Sequence, residues 1–466
     1  MSRAVCQAAA FALAFAGCAT TPHAPPDPSS LPPAFLASQP AVTVGSFWAS
    51  FGDPLLLRFI GEADASNLDL AAAAARLVQA RALARGSKAA LAPELGGTLS
   101  ATRQQNSTAS GIAFQPRETS LFNAGFDASW ELDIFGRLRA DMHAADSDAA
   151  GAAFDLQALR VTARAETARL YYAVRTTQLR IAVLDDAAAA QNDLADLAKS
   201  RARAGLVPES DALRAEGLAA SSRAAASVLR GDLADSIAAL ALIVGRTASS
   251  VAPELVPGPP LGADLPPAPA PLLGAPAGLL ISRPDVGRDL ARLQAADARA
   301  AARARDRLPR LTLSASGGYS AAAAAALFTP GAQVFSLGAA LVEPIIDFGR
   351  RAAVQQQAEA LADERAAVLQ ATVLTAVREV ERDAAALGSH RQELEARTVE
   401  VQRNRSVSAL LRRRYLAGLE DFTGVLDAER TAFTSTDSRI LARQAEIYAA
   451  LALWKSVGGL TDDGLR

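Results

Sequence analysis

Residues 66–245 and 282–460 carry one plan twice, and this duplication constrains the chain more than any single motif. Shifted by 216, Ser66, Asp69, Arg76, Leu77, Ala80 and Pro93 fall on Ser282, Asp285, Arg292, Leu293, Ala296 and Pro309. Shifted by 213, Phe135-Gly136-Arg137 falls on Phe348-Gly349-Arg350, and Gly205-Leu206 on Gly418-Leu419. The same shift places Leu213, Ala215 and Glu216 on Leu426, Ala428 and Glu429. The second copy is therefore three residues shorter between Pro309 and Phe348. Each copy reads as helix, hairpin, very long helix, turn and long helix. Enzymes rarely need such a plan, whereas a tube built from repeated staves does.

Alternation marks the hairpins. Phe122, Ala124, Phe126, Ala128, Trp130, Leu132 and Ile134 alternate with Asn123, Gly125, Asp127, Ser129, Glu131 and Asp133. That is period two, one face apolar and the other polar. Leu95–Gln105 alternates more weakly, and Asn106–Arg117 between them reads as a loop. In the second copy Leu311, Leu313 and Ala315 keep the same phase, as do Phe335, Leu337, Ala339 and Leu341. Phe122, Phe126, Trp130, Phe335, Leu337 and Leu341 are expected to face lipid. Strands of about 9–11 residues cross a tilted bilayer. Bacterial barrels need at least about eight strands, so four per chain demand an oligomer.

Helix formers fill the rest. Residues 47–92 read as a helix stopped by Pro93, with Ser66 or Asn67 as a cap. Residues 142–204 and 353–417 contain no proline and would each run roughly 95 Å at about 1.5 Å per residue. Gly205 and Gly418 end them, and antiparallel helices return to about Gly245 and Gly458. Helices of that length imply coiled-coil packing, with small alanines at the seams.

Residues 1–17 read as a signal peptide: Arg3, an apolar run, then small residues before Cys18. Leu13-Ala-Phe-Ala-Gly-Cys18 is similar to a lipobox, with Phe15 where Leu is usual, which makes Cys18 the candidate lipidation site. Residues 18–45 form a Pro-rich tether and 251–280 a Pro-rich linker. These bounds leave a first repeat at 46–250, a second at 281–460 and a tail at 461–466. No apolar run after the signal is long enough for a membrane helix. The net charge of −2 offers no basic excess for nucleic acid. His23, His143 and His390 read as solvated surface groups, the paired glycines at 96–97 and 317–318 lie beside strands, and Asp133 and Asp347 read as turn or cap groups. No catalytic constellation, metal site or cofactor site emerges.

Taken together, the duplicated plan, Trp130-Glu-Leu-Asp-Ile-Phe-Gly-Arg137, Glu343-Pro-Ile-Ile-Asp-Phe-Gly-Arg350, and Arg414-Tyr-Leu-Ala-Gly418 followed by Val425-Leu-Asp-Ala-Glu-Arg430 resemble the TolC-like outer-membrane efflux proteins. The lipobox points to their NodT-type lipoprotein branch. The resemblance covers about residues 45–460. It implies a mainly helical fold with membrane β: a homotrimer whose three sets of four strands close one twelve-stranded barrel, continued by a periplasmic helical barrel. It implies an outer-membrane location, passive conduction, a periplasmic adaptor and an inner-membrane pump as partners, and no cofactor. By the same resemblance the turns at Gly205 and Gly418 dock on the adaptor. Asp211 paired with Tyr415, and Asp427 paired with Arg430, would hold the resting tip closed. Gly424 and Glu420 depart from the family pattern there, which weakens or re-pairs that lock. A type I secretion channel and a periplasmic coiled-coil scaffold with soluble hairpins remain as alternatives.

Overall fold

The computed structural model describes residues 21–27, 29, 31–35, 47–107, 117–256, 264–269, 276–278 and 282–459. The signal segment, Cys18 and parts of the tether and linker lie outside the described residues. Seven helices of ten or more residues are present among them: α1 Pro54–Ser66, α2 Leu68–Ala89, α3 Arg137–Arg203, α4 Glu209–Ile243, α5 Pro284–Arg305, α6 Arg350–Leu416 and α7 Phe422–Ser456. The strands are β1 Glu94–Gln105, β2 Glu118–Leu132, β3 Arg310–Ala321 and β4 Gln333–Val342.

The expected single helix over 47–92 is broken. Asn67 leaves the helical region with ψ 124 and divides α1 from α2. Its side chain explains the break: Oδ1 accepts from the Leu70 amide at 3.0 Å, and Nδ2 donates to the Ile243 carbonyl at 2.8 Å. Both long helices start earlier than expected, because Asp133 and Asp347 cap them ahead of the positions the sequence suggested. Asp133 accepts from the amides of Leu138 and Arg139 at 3.0 and 2.9 Å, and these bonds hold its carboxyl below the ordinary range despite partial burial. The alternation therefore stops at Leu132 rather than Ile134.

Contacts divide the chain into two compact units. Among the described residues, one comprises those within 21–25, 76–153 and 288–370, and the other those within 26–75, 154–287 and 371–459. Each draws segments from both repeats. The first holds the sheet, a single antiparallel layer in the order β1-β2-β3-β4. Its register puts Phe126 opposite Gly97 and Gly317, Trp130 opposite Leu313, and Ala315 opposite Leu337. Directly opposed residues share a face, so Leu95, Leu99, Phe122, Phe126, Trp130, Leu313, Phe335, Leu337 and Leu341 all lie on one side. Phe335 is 85% exposed and Leu337 78%. The other side is polar and internally bonded: Thr98 donates to Asp127 at 2.9 Å, and Asn123 links Ser100 and Ser320 at 3.2 and 2.7 Å. In this unit His23, read from the sequence as solvated, is instead held. Its amide and Nδ1 bond Asp297 at 3.1 and 2.8 Å, Nε2 meets Asp363 at 3.1 Å, and the bond to Asp297 raises its pKa.

The second unit is built around buried aromatics. Trp48, Trp454, Tyr171, Tyr172 and Phe59 are fully enclosed, and Trp48 meets Trp454 edge-on at 4.5 Å. Tyr171 donates to Asp53, the N-cap of α1, at 2.5 Å. The returning helices close where glycine alone fits. Gly245 and Gly458 both have positive φ, and a Cβ there would lie 2.3 Å from the Ser66 carbonyl oxygen and 2.5 Å from that of Ser282. Ser66 and Ser282 are themselves repeat counterparts, so the duplication reproduces this close backbone approach.

Candidate gate at the two helix turns

The residues singled out for the gate lie where α3 turns into α4 and α6 into α7. Gly205 and Gly418 adopt φ of 71 and 74. Gly205 N bonds the Ala202 carbonyl at 2.9 Å and Leu206 N that of Arg201 at 3.0 Å; Gly418 N bonds that of Tyr415 at 3.0 Å and Leu419 N that of Arg414 at 2.9 Å. This pair of bonds closes the last helical turn and satisfies its orphan carbonyls, at a residue whose left-handed conformation favours glycine. A Cβ at either position would meet nothing within 4 Å. The glycines are thus required by backbone conformation alone. The leucine after each glycine stands exposed.

Tyr415 is only 2% exposed. It packs with Leu194, Ala198, Ala215, Val425 and Leu426, and its ring lies 5.4 Å from Phe422. Its hydroxyl has no hydrogen-bond partner among the described residues. A single chain therefore does not form the Asp211–Tyr415 pair. Asp211 is half-buried in the first turn of α4, where a carboxylate is favoured by the helix N-terminus. Asp427 and Arg430 do meet, with Nη2 and Oδ1 3.3 Å apart, but about two-thirds of each side chain is exposed. Such a pair is worth about 0.2–0.5 kcal/mol. Glu420 joins Arg414 at 3.2 Å, so the departure from the family pattern is answered within the same turn. Asp421 caps α7 through the Gly424 amide.

Two residues that carry this region were not singled out from the sequence. Arg201 donates from Nη1 to the Tyr415 carbonyl at 2.9 Å and from Nη2 to that of Leu416 at 3.0 Å, and its guanidinium sits 4.5 Å from the Tyr415 ring centre. It caps the C-terminal end of α6 with a cation and stacks on the aromatic ring beneath. The two hairpin tips are thereby joined. A signal existed: an arginine precedes the turn glycine by four in both copies, as Arg201 and Arg414. The other residue is Glu429, 5% exposed, with Oε2 unpartnered and Arg412 3.7 Å away. Burial pushes its carboxyl up, and Arg412 offsets this only in part. Its repeat counterpart Glu216 instead pairs with Lys199 at 2.5 Å near the surface. Glu429 lines a cleft of about 680 Å³ together with Arg405, Arg412 and Phe433.

The chain as a whole is similar to known proteins. A family model described as outer membrane efflux protein matches residues 59–246 and 276–459. The pyoverdine export outer membrane protein OpmQ of Pseudomonas putida is 30% identical over 420 residues, 89% of this chain and 87% of its own length. Nodulation protein T of Rhizobium leguminosarum bv. trifolii is 28% identical, covering 95% of this chain and 94% of its own. The solved structure of the outer-membrane channel OprN superposes with a TM-score of 0.83 at 27% identity, covering 95% of this chain and 98% of that one.

Proposed function

The chain belongs to the outer membrane efflux protein family, and from that premise we propose that it is the passive outer-membrane conduit of a tripartite efflux assembly. The observation that carries this reading is the sheet. One face is apolar and exposed, the other is polar, and the sheet has two open edges. Open edges cannot face hydrocarbon, because their backbone groups would have no partners there. Three copies joined edge to edge would remove them, so the working form is a homotrimer with a twelve-stranded barrel. The long hairpins then continue the duct into the periplasm. Its building units are the repeats at 46–250 and 281–460, joined by the linker 251–280, with Cys18 as a lipid anchor. The chain conducts without a chemical step or cofactor.

A periplasmic adaptor and an inner-membrane pump complete the assembly. The turns at Gly205 and Gly418, with their exposed leucines, are the adaptor contacts. Around them Asp211, Tyr415, Asp427 and Arg430 narrow the resting opening. The Tyr415 hydroxyl finds no partner among the described residues, and in this reading the assembled trimer or a shift of the tip supplies it. The test is purification from outer-membrane fractions in detergent, followed by planar-bilayer recording. A heat-modifiable trimer with discrete conductance steps is expected. A monomer that partitions into the soluble periplasmic fraction and never conducts would establish the scaffold reading instead.

A further inference from the structure

The two repeats diverge where the sheet meets the long helices. In the first, Arg137 is enclosed by carboxylates: Nη2 is 2.8 Å from Glu131, Nη1 3.3 Å from Asp141 and Nε 3.7 Å from Asp306. Its counterpart, 213 residues on, is Arg350. The same shift turns Glu131 into Pro344 and Asp141 into Val354. Both near carboxylates have been replaced by apolar residues. Arg350 is exposed, and no side-chain hydrogen bond or ion pair engages it among the described residues.

A cleft of about 370 Å³ opens beside it, lined by Arg303, Arg310, Arg350 and Arg351 against one aspartate, Asp306. Asp306 is already taken by Arg303 and Arg310, each at 2.7 Å. Glu343 and Asp347 both pair with Arg351, at 3.1 and 3.3 Å. Arg303 also meets Asp141 at 3.1 Å, so the surrounding charges balance. Arg350, within electrostatic range of Asp347, is the guanidinium left without an ion pair among the described residues. The rest of the wall is apolar and includes Val342, Pro344 and Val354. Next to it Ile346 and Phe348 project into solvent, Phe348 fully exposed. Phe348 holds a φ of 53, a left-handed conformation that a bulky side chain adopts only under strain. Its counterpart Phe135 is half-buried with no such φ. This exposed apolar segment lies a few residues beyond the end of β4 at Val342.

An unpaired guanidinium beside exposed apolar side chains matches one class of partner, a phosphate that carries hydrocarbon. We propose that this cleft binds the headgroup phosphate of an anionic phospholipid of the periplasmic leaflet, with Ile346 and Phe348 against its acyl chains. The inference rests on the membrane-spanning channel reading, which places this end of the strands at the periplasmic surface. The unpaired Arg350 favours a headgroup whose phosphate charge has no compensating amine.

The first repeat supplies the decisive variant. Pro344→Glu with Val354→Asp restores to Arg350 the two carboxylates that Arg137 has. Full-length protein in detergent is offered equal phosphatidylglycerol and phosphatidylcholine, and retained lipid is counted by native mass spectrometry. Wild type should retain phosphatidylglycerol preferentially. The restored variant, and Arg350→Gln, should lower that preference roughly tenfold, the share of one charge-assisted hydrogen bond. Equal retention of the two lipids by wild type overturns the proposal, as does an unchanged preference in both variants. A cleft covered by a neighbouring copy also overturns it, and shows as weakened oligomers in Arg350→Gln with no lipid preference in wild type. Planar-bilayer recording of the same wild-type preparation separates the two readings. Conducting channels without headgroup preference refute the lipid site alone, whereas absence of conductance refutes the channel.

Discussion

An arginine at Phe126 should stop assembly, and one at the adjacent Asp127 should not. The apolar-face residues of β2 run from Phe122 to Leu132. At about 3.4 Å per residue and a tilt of about 40°, that stretch stands roughly 26 Å tall, the height of the apolar band of a bacterial barrel. Phe126 lies one residue from its midpoint, about 3 Å from the membrane midplane. It therefore meets nearly the full cost of a lipid-facing arginine, about 2–4 kcal/mol per chain. Further loss follows because Phe126 is flanked by Gly97 and Gly317, and its ring lies 3.7 Å from where a Gly97 Cβ would be. No neighbouring side chain can replace the apolar cover it gives. If three copies assemble, the penalty reaches roughly 6–12 kcal/mol, comparable to the whole stability of a folded domain. Asp127→Arg forfeits only the exposed 2.9 Å bond from Thr98, about 0.5–1.5 kcal/mol, on the polar face. The assay is the fraction of heat-modifiable oligomer in outer-membrane extracts, with urea unfolding in lipid vesicles as a second measure. Equal assembly of the two variants would mean that the face assignment, and with it the membrane-spanning sheet, is wrong.

Other consequences can be measured on the same preparations. Gly205→Val with Gly418→Val meets no steric obstacle, so the left-handed backbone sets the cost, roughly 1–2 kcal/mol per site. Efflux measured as drug or metal tolerance should fall while oligomer levels hold; undiminished tolerance would remove the turns from the adaptor contact. Tyr415→Phe deletes a buried hydroxyl that, in the channel reading, finds its partner only in the assembled trimer or a shifted tip. It should destabilise the oligomer by the share of one hydrogen bond, about 0.5–1.5 kcal/mol, read as a lower melting temperature. Combined with Arg430→Ala it should raise single-channel conductance, and wild-type conductance in that double variant would exclude these residues from the gate. Glu429 has its pKa raised in the folded state, so its contribution is complete below the ordinary carboxylate range and lost as pH rises through the folded value. Glu429→Gln should therefore be more stable than wild type near neutrality, with the gain vanishing in acid; thermal melts across that range that run parallel would contradict the burial argument.

Much of this fold is written in local periodicity, and the sequence alone determined it. Alternation over residues 122–132 assigns each side chain to a face, because successive residues of a strand point to opposite sides whatever the strand packs against. Proline-free stretches rich in alanine, leucine and arginine propagate helix for the same local reason. The turn glycines were legible too, since a left-handed residue is set by its own backbone. What escaped was whatever depends on a distant neighbour. Asn67 was legible as a cap, and it does accept from the Leu70 amide, but its bond to the Ile243 carbonyl, 176 positions away, was not. Arg201 reads as one surface cation among many until α6 ends beside it. Glu216 and Glu429 occupy equivalent positions, yet one pairs with a lysine near the surface and the other is buried with an oxygen unmet. Arg137 and Arg350 share a motif and differ because the residues that reach them differ. A repeat transmits backbone plan faithfully, since helix and strand periods are local. The environment of each side chain is set by packing between segments far apart in the chain, and only the tertiary structure decided it.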